Sequence, residues 1–120
     1  MENEPEVLVT RIASQSTSRY FSLSMTFFQN GCFVVITEGQ PRIGAVSMAI
    51  STSNKINTAK VIPSKYDSIF INSLAEKTAS MINGISLVSL YSKSQLQLDD
   101  MKAIMEEVMN TIRSKSHEKQ

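Results

Sequence analysis

Residues 39–44, GQPRIG, hold two glycines, a proline and an arginine in one short polar loop between two apolar runs. Their G-x-x-x-x-G spacing matches the first half of a phosphate-binding loop, which continues with Lys and Ser or Thr and leads into a helix. Here Ala45 and Val46 follow, and residues 43–51 alternate as a strand does. We therefore interpret this stretch as the corner of a hairpin with proline in the turn, and not as a nucleotide site.

The chain has one cysteine and one histidine, which limits nucleophilic chemistry. Cys32 begins an apolar run, whereas His117 lies near the C-terminal end, so the thiol has no base at hand. We interpret Cys32 as a packed, inert thiol, because a free cysteine behaves as a small hydrophobic residue. No serine has the G-x-S-x-G setting of a hydrolase nucleophile. The rival interpretation is a small enzyme that uses Cys32.

Metal binding is not predicted either, because one cysteine and one histidine are too few for a zinc site. The adjacent acids Asp99 and Asp100 fit the first turn of a helix, where the helix dipole favours negative charge. The sequence therefore predicts no catalytic residue, no metal site and no cofactor. We expect a protein that is not an enzyme.

The composition is that of a globular protein, with 42% hydrophobic and 19% charged residues. The 120 residues are expected to form a single domain over residues 1–120, with disordered tails at 1–6 and 114–120. The net charge is +1 and the basic residues are scattered, so we expect no nucleic-acid partner.

The N-terminal segment MENEPEVLV is acidic and lacks the apolar core of a signal peptide. No apolar run approaches the roughly 20 residues that a helix needs to span a bilayer, so we expect no membrane partner. A single cysteine excludes an internal disulfide. These features predict a cytoplasmic protein, with the nucleus as a further expected location.

Strand patterns dominate the first half of the chain. Residues 20–28 alternate, with Phe21 and Leu23 on one face and serines on the other. The dipeptide Asn30-Gly31 predicts a type I′ turn into the next strand. The five predicted strands are residues 7–12, 20–28, 32–37, 43–51 and 58–62.

The apolar period then changes to that of a helix over residues 68–83. Asp67 or Ser68 is expected to cap its start, and Gly84 to end it in the left-handed conformation. Residues 85–91 predict a sixth strand. Residues 94–113 predict a second helix that begins with a capping box of Ser94 and Gln97.

The predicted fold is α+β: a six-stranded, mostly antiparallel sheet with two helices on one face, in the order β-β-β-β-β-α-β-α. Residues 32–37 and 85–91 are apolar on both faces, yet two helices cover only one. A face so apolar exceeds an ordinary exposed patch, so we predict that a second protein covers it. The alternative is that long loops or the N-terminal strand fold over it.

The body of the chain, residues 20–112, resembles the small proteasome-assembling chaperones of the subunit-3/subunit-4 type, and is closer to subunit 3. The resemblance is carried by the strand CFVVIT, by the basic-aliphatic-glycine run at 42–44, and by the T-x-K-V-aliphatic run at 58–62. A helix, a strand and a final helix follow in the same order. Pro63 and Ser64 stand where the family usually has Leu-Gly.

The resemblance implies a non-catalytic chaperone for assembly of the 20S proteasome α-ring. Such a chain pairs with a related small chaperone subunit as a heterodimer, or with itself, binds α-type subunits and later dissociates. The expected partner contacts are polar residues in loops and at strand ends: Glu38, Gln40, Arg42 and Lys60. The alternative, echoed by VVITEGQP, is a roadblock-like dimeric scaffold subunit of another complex.

Overall fold

The structure is a computed structural model that describes residues 4–118, with side-chain surroundings described as far as residue 115. Its elements follow the predicted order, which confirms the fold class. They are β1 (Glu6–Ser14), β2 (Arg19–Phe28), β3 (Gly31–Thr37), β4 (Ala45–Thr52), β5 (Lys55–Ile62), α1 (Ser68–Ile82), β6 (Ile85–Tyr91) and α2 (Leu98–Glu118).

The six strands form one mixed sheet in the order β1-β2-β3-β6-β4-β5. All neighbours are antiparallel except β3 and β6, which are parallel. The predicted hairpin between β3 and β4 is therefore wrong, because β6 lies between them. The loop of residues 38–44 crosses the end of β6, a span of about 10 Å for two interstrand spacings, well within its reach.

Both helices pack on one face of the sheet, as predicted. The inward side chains of β2 (Phe21, Leu23 and Met25) are at most 1% exposed and build the core beneath them. Helix α1 packs over β4 and β6, and α2 packs against β1 and α1. Small buried residues on both sides, Ala49 of β4 and Ala75 of α1, let α1 approach the sheet closely.

Helix α1 ends differently from the prediction. The residue in the left-handed conformation is Asn83, with φ 53°, and its N–H bonds to the Ala79 carbonyl. Gly84 does not have positive φ. Its role is close approach, because a Cβ there would lie 2.5 Å from the Asn30 carbonyl oxygen. At the other end, Asp67 is the N-cap residue but makes no side-chain capping bond.

Helix α2 begins at Leu98, so the predicted capping box of Ser94 and Gln97 is wrong. The Gln97 N–H instead donates to Asp100 Oδ2 at 2.8 Å. This is the half of a capping box in which a side chain in the first turn reaches back to the residue before the helix. The helix continues to Glu118, while residues 1–3 and 119–120 of the expected tails lie outside the described residues.

The predicted type I′ turn is also misplaced. The β2–β3 hairpin forms, but neither Asn30 nor Gly31 has positive φ. The β4–β5 hairpin has positive φ at both central residues, Ser53 (48°) and Asn54 (67°), as a type I′ turn requires. Asparagine tolerates the left-handed region better than most residues, which suits Asn54 to the second central position of this turn.

Across residues 4–118, neither helix combines the length and the apolar character needed to cross a membrane.

Candidate partner-binding surface

The face of the sheet opposite the helices carries a band of apolar side chains. Its centre is half-buried and is formed by alternate residues of three neighbouring strands: Phe33, Val35, Met48, Ile50 and Leu87. We call the side of the sheet on which these five residues lie the open sheet face. Within the described residues, no helix covers it. Strand β1 pairs edge-on with β2 and does not fold over this face, which removes one of the alternatives left by the sequence.

The open sheet face extends to exposed apolar residues at its edges. Val7 and Val9 of β1 are 54% and 73% exposed, and Tyr20 and Phe28 of β2 are 59% and 52% exposed. Phe28 also borders a shallow, almost wholly apolar hollow lined by Phe33, Ile85 and Leu87. Ser24 and Thr26 of β2 separate the two valines from the centre, so the apolar band is continuous only across β3, β6 and β4. A contiguous apolar patch of this kind marks a surface that associates, whereas scattered exposed apolar residues are ordinary.

The loop of residues 38–44 is fastened across the end of β6. The Glu38 N–H donates to the Tyr91 carbonyl at 3.0 Å, and the Gly44 N–H donates to Ser89 Oγ at 3.2 Å. A Cβ on Gly44 would lie 2.1 Å from the Leu90 carbonyl oxygen, so only glycine fits there. Gly44 of GQPRIG thus serves backbone packing, not phosphate binding.

Gly39 is required for a different reason. Its φ of +84° lies in the left-handed region, and a Cβ there would lie 2.8 Å from Lys93 Cε. Because this glycine turns the loop, Gln40 and Arg42 are held outward at the end of the sheet. Both side chains are exposed.

Arg19, at the start of β2, holds this loop in place through hydrogen bonds to Glu38. Its Nη2 and Nε donate to the two carboxylate oxygens of Glu38 at 2.7 and 3.0 Å. Both side chains are largely buried, with 14% and 13% exposed. The backbone N–H of Lys93 adds a third bond to Glu38 at 2.9 Å. Glu38 was predicted as a partner contact; the structure uses its carboxylate inside the molecule.

The same guanidinium reaches the start of α2. Arg19 Nη1 donates to Asp100 Oδ2 at 3.1 Å, and Asp100 is fully buried. Further bonds run to the carbonyls of Ser94 and Gln95. Arg19 therefore links the β1–β2 turn, the loop over β6 and the first turn of α2.

The pKa values of the three acids in and near this network are shifted in different directions. The hydrogen bond from Arg19 lowers the pKa of Glu38 despite its burial. Burial alone would raise the pKa of Asp100, but hydrogen bonds from Thr17 and the Gln97 N–H, with the charge of Arg19, lower it. For Asp67, burial dominates and raises the pKa. Glu38 and Asp100 are thus held as carboxylates that stabilise the fold.

Three of the four predicted contact residues lie together. Glu38, Gln40 and Arg42 line one small concavity with Tyr91 and Lys93. The Arg42 guanidinium lies 5.0 Å from the centre of the Tyr91 ring. Lys60 is not among these lining residues; it is exposed on β5, the edge strand that pairs with β4.

Sequence reasoning missed Arg19, which immediately precedes the strand predicted at residues 20–28. Its partners lie as far as Asp100 along the chain, so no local pattern reveals them. It also missed the exposure of Ile43, which is 76% exposed although it was assigned to a strand.

Cys32 lies where the sequence predicted, in the core beneath the helices. It is 4% exposed, and burial raises the pKa of its thiol to about 12. A thiol so buried and so weakly acidic is a poor nucleophile. His117 lies beyond the residues whose side chains are described. No group of three His, Cys, Asp or Glu side chains suited to a metal ion occurs in the described part of the chain.

The arrangement as a whole is a small α+β domain with two helices on one sheet face and an apolar sheet face left open. A solved structure shares this fold: a chain in the crystal structure of a novel chaperone complex for yeast 20S proteasome assembly. The two chains align with a TM-score of 0.71 and 13% sequence identity, over 92% of this chain and 96% of the other. No protein-family model matches the sequence, and no curated protein sequence matches it. The likeness confirms the fold that the family resemblance implied.

Proposed function

We propose that this chain is a non-catalytic chaperone subunit for assembly of the 20S proteasome α-ring. The observation that carries the proposal is the fold, shared over nearly the full length of both chains with a subunit of the yeast assembly chaperone complex. The resemblance of residues 20–112 to the small assembly chaperones, reached from the sequence, points the same way. The chain acts in the cytoplasm, and in the nucleus as a second location.

The open sheet face supports pairing with a related small chaperone subunit. Two sheets that pack face to face bury their apolar sides about 10 Å apart, which is the protection that Phe33 and Val35 lack in the single chain. A heterodimer is proposed, and a homodimer is the alternative that sizing would reveal. A face of this apolar character suits a lasting interface, because permanent interfaces are more apolar than transient ones.

The contact with α-type subunits is proposed at a different surface. A chaperone that leaves the ring needs a smaller and more polar contact than its own dimer interface. The end of the sheet, where Gln40 and Arg42 are exposed, offers polar contacts and lies apart from the residues that define the open sheet face. Lys60, on the edge strand β5, is a further proposed contact.

Affinity capture from a native extract tests the proposal. The tagged chain is recovered from its source cells, and the proteins that accompany it are identified by mass spectrometry. We expect proteasome α-type subunits and one related small protein. An extract that yields neither contradicts the proposal, and recovery of the subunits of a different complex favours the roadblock-like scaffold instead. Imaging the tagged chain in the same cells tests the proposed location.

A further inference from the structure

A second concavity lies at the end of the sheet, where β5 and β6 finish and β4 begins. We call it the sheet-end groove and define it by six of its lining residues: Ile43, Ile62, Lys65, Tyr66, Tyr91 and Lys93. It adjoins the small concavity that holds Arg42 through two shared residues, Tyr91 and Lys93. The groove therefore continues along the loop over β6.

Three large apolar side chains that line the groove are exposed to solvent. Ile43 is 76% exposed, Ile62 44% and Tyr66 45%. None of these three takes part in the helix-covered core. Large apolar side chains gathered around one concavity mark a binding site more strongly than the same residues scattered.

The charge of the groove has one sign. Lys65 and Lys93 line it and Arg42 adjoins it, whereas no acid is among its described lining residues. Glu38, in the adjoining concavity, has both carboxylate oxygens bonded to Arg19, which also pairs with the buried Asp100. A groove lined by basic side chains and by no acid attracts an acidic partner and raises its rate of association.

We propose that the sheet-end groove binds a segment of a partner protein in which acidic side chains flank an aliphatic or aromatic residue. The apolar residue packs against Ile43 and Ile62, and the acids pair with Lys65 and Lys93. The proposal rests on the proposed function and deepens it, because it names the chemistry of the partner segment.

A nucleic acid is the competing occupant, since it also seeks basic and aromatic side chains. Single-stranded nucleic acid needs open aromatic faces for its bases to stack on. Here cations lie over both tyrosines: the Arg42 guanidinium is 5.0 Å from the Tyr91 ring centre, and Lys65 Nζ is 5.8 Å from that of Tyr66. Among the large apolar side chains of the groove the most exposed is the aliphatic Ile43, which offers a base no stacking face. The geometry favours a peptide.

The test selects peptides without assuming the partner. A phage-displayed library of random dodecapeptides is panned against the full chain, together with its dimer partner where it has one. We expect the selected peptides to be enriched in acids around a large apolar residue. Ile43→Ser and Lys65→Glu should each weaken their binding about tenfold, because an exposed apolar anchor and a groove charge are lost.

Two matched variants serve as controls. Leu98→Ser removes an apolar residue that is 67% exposed, and Lys77→Glu reverses an exposed charge on α1, both outside the groove. They should leave binding unchanged, and all four variants should keep the melting temperature of the parent chain.

The proposal is overturned if the library yields no binder, if the binders lack acids, or if their binding ignores Ile43→Ser and Lys65→Glu. It is overturned as well if a labelled 12-nucleotide single strand binds in a manner that depends on Lys65. Because the selection uses no proteasome subunit, its outcome does not depend on whether affinity capture recovers α-type subunits. Failure of the groove proposal and failure of the chaperone proposal are therefore distinguishable.

Discussion

Arg19 and Glu38 form a two-pronged ion pair, with Nη2–Oε1 at 2.7 Å and Nε–Oε2 at 3.0 Å. The pair joins the start of β2 to the loop that crosses the end of β6. Because only 14% and 13% of the two side chains are exposed, its hydrogen bonds are poorly replaced by water. This pair therefore holds the loop that presents Gln40 and Arg42.

Replacing Glu38 by Gln tests that role. The change keeps the shape of the side chain but leaves the buried Arg19 without its main counter-charge. We expect the free energy of unfolding to fall by about 2 kcal/mol, the range for a hydrogen bond to a charged group. Denaturant unfolding measures it. Glu106→Gln, at an exposed position of α2, is the control and should change stability by less than about 0.5 kcal/mol. Equal effects of the two changes would contradict this account of Glu38.

The same network predicts how stability depends on pH. The folded-state pKa values of Glu38 and Asp100 are lowered, so their stabilisation is present above the unfolded-state pKa of about 4 and is lost as the pH falls through the folded values. Asp67 has a raised pKa and contributes with the opposite sign, losing its stabilisation as the pH rises.

We expect the free energy of unfolding to fall between about pH 5 and about pH 2, because two stabilising carboxylates outnumber the one that opposes them. Denaturant titrations at several pH values measure the slope. Glu38→Gln should make the slope shallower than in the parent chain. An unchanged slope in that variant would show that Glu38 does not contribute.

Pairing through the open sheet face predicts the effect of a charge at its centre. Val35→Glu places a carboxylate where the partner sheet would pack, and a buried unpaired charge costs several kcal/mol. We expect the dimer dissociation constant to rise about a hundredfold. Analytical ultracentrifugation measures it.

The matched control is Ile69→Glu, which places the same charge on α1 at a residue that is 82% exposed, on the helix-covered side of the sheet. This variant should pair like the parent chain. A Val35→Glu variant that folds and still pairs with parental affinity would remove the open sheet face as the interface.

The two glycines of the loop should differ in their tolerance of alanine. In Gly44→Ala the new Cβ meets backbone atoms of β6 that cannot yield, the Leu90 oxygen at 2.1 Å among them. We expect a loss of about 3 kcal/mol, typical of overpacking that shifts backbone.

Gly39→Ala is the comparison, because its Cβ meets only the flexible end of Lys93 and the cost is that of a positive φ. A loss of about 1 kcal/mol is expected there. Thermal unfolding orders the two variants. A larger loss for Gly39 than for Gly44 would contradict the close packing of the loop on β6.

Local patterns in the sequence were enough to predict most elements. The alternation of residues 20–28 and the helical spacing of residues 68–83 place β2 and α1 to within one residue. These patterns work because one face of each element is buried and the other is not. The open apolar face was likewise predictable, since two helices cover only one side of a six-stranded sheet.

Strand partners and loop contacts were not predictable in the same way. Strand β6 inserts between β3 and β4, and nothing within residues 32–51 indicates that a later segment separates them. The bonds of Arg19 to Glu38 and Asp100 likewise join residues that are distant along the chain. Such pairings depend on the whole topology, so a reading of short windows misses them.

Reconstituted assembly tests the central claim most directly. Recombinant proteasome α-type subunits are mixed with and without the chain and its co-isolated partner, and ring formation is followed over time by native gel electrophoresis. The account predicts that rings form faster or in higher yield with the chain present, and that finished 20S particles lack it. An unchanged rate and yield, or a chain that remains in the finished particle, would contradict the chaperone function.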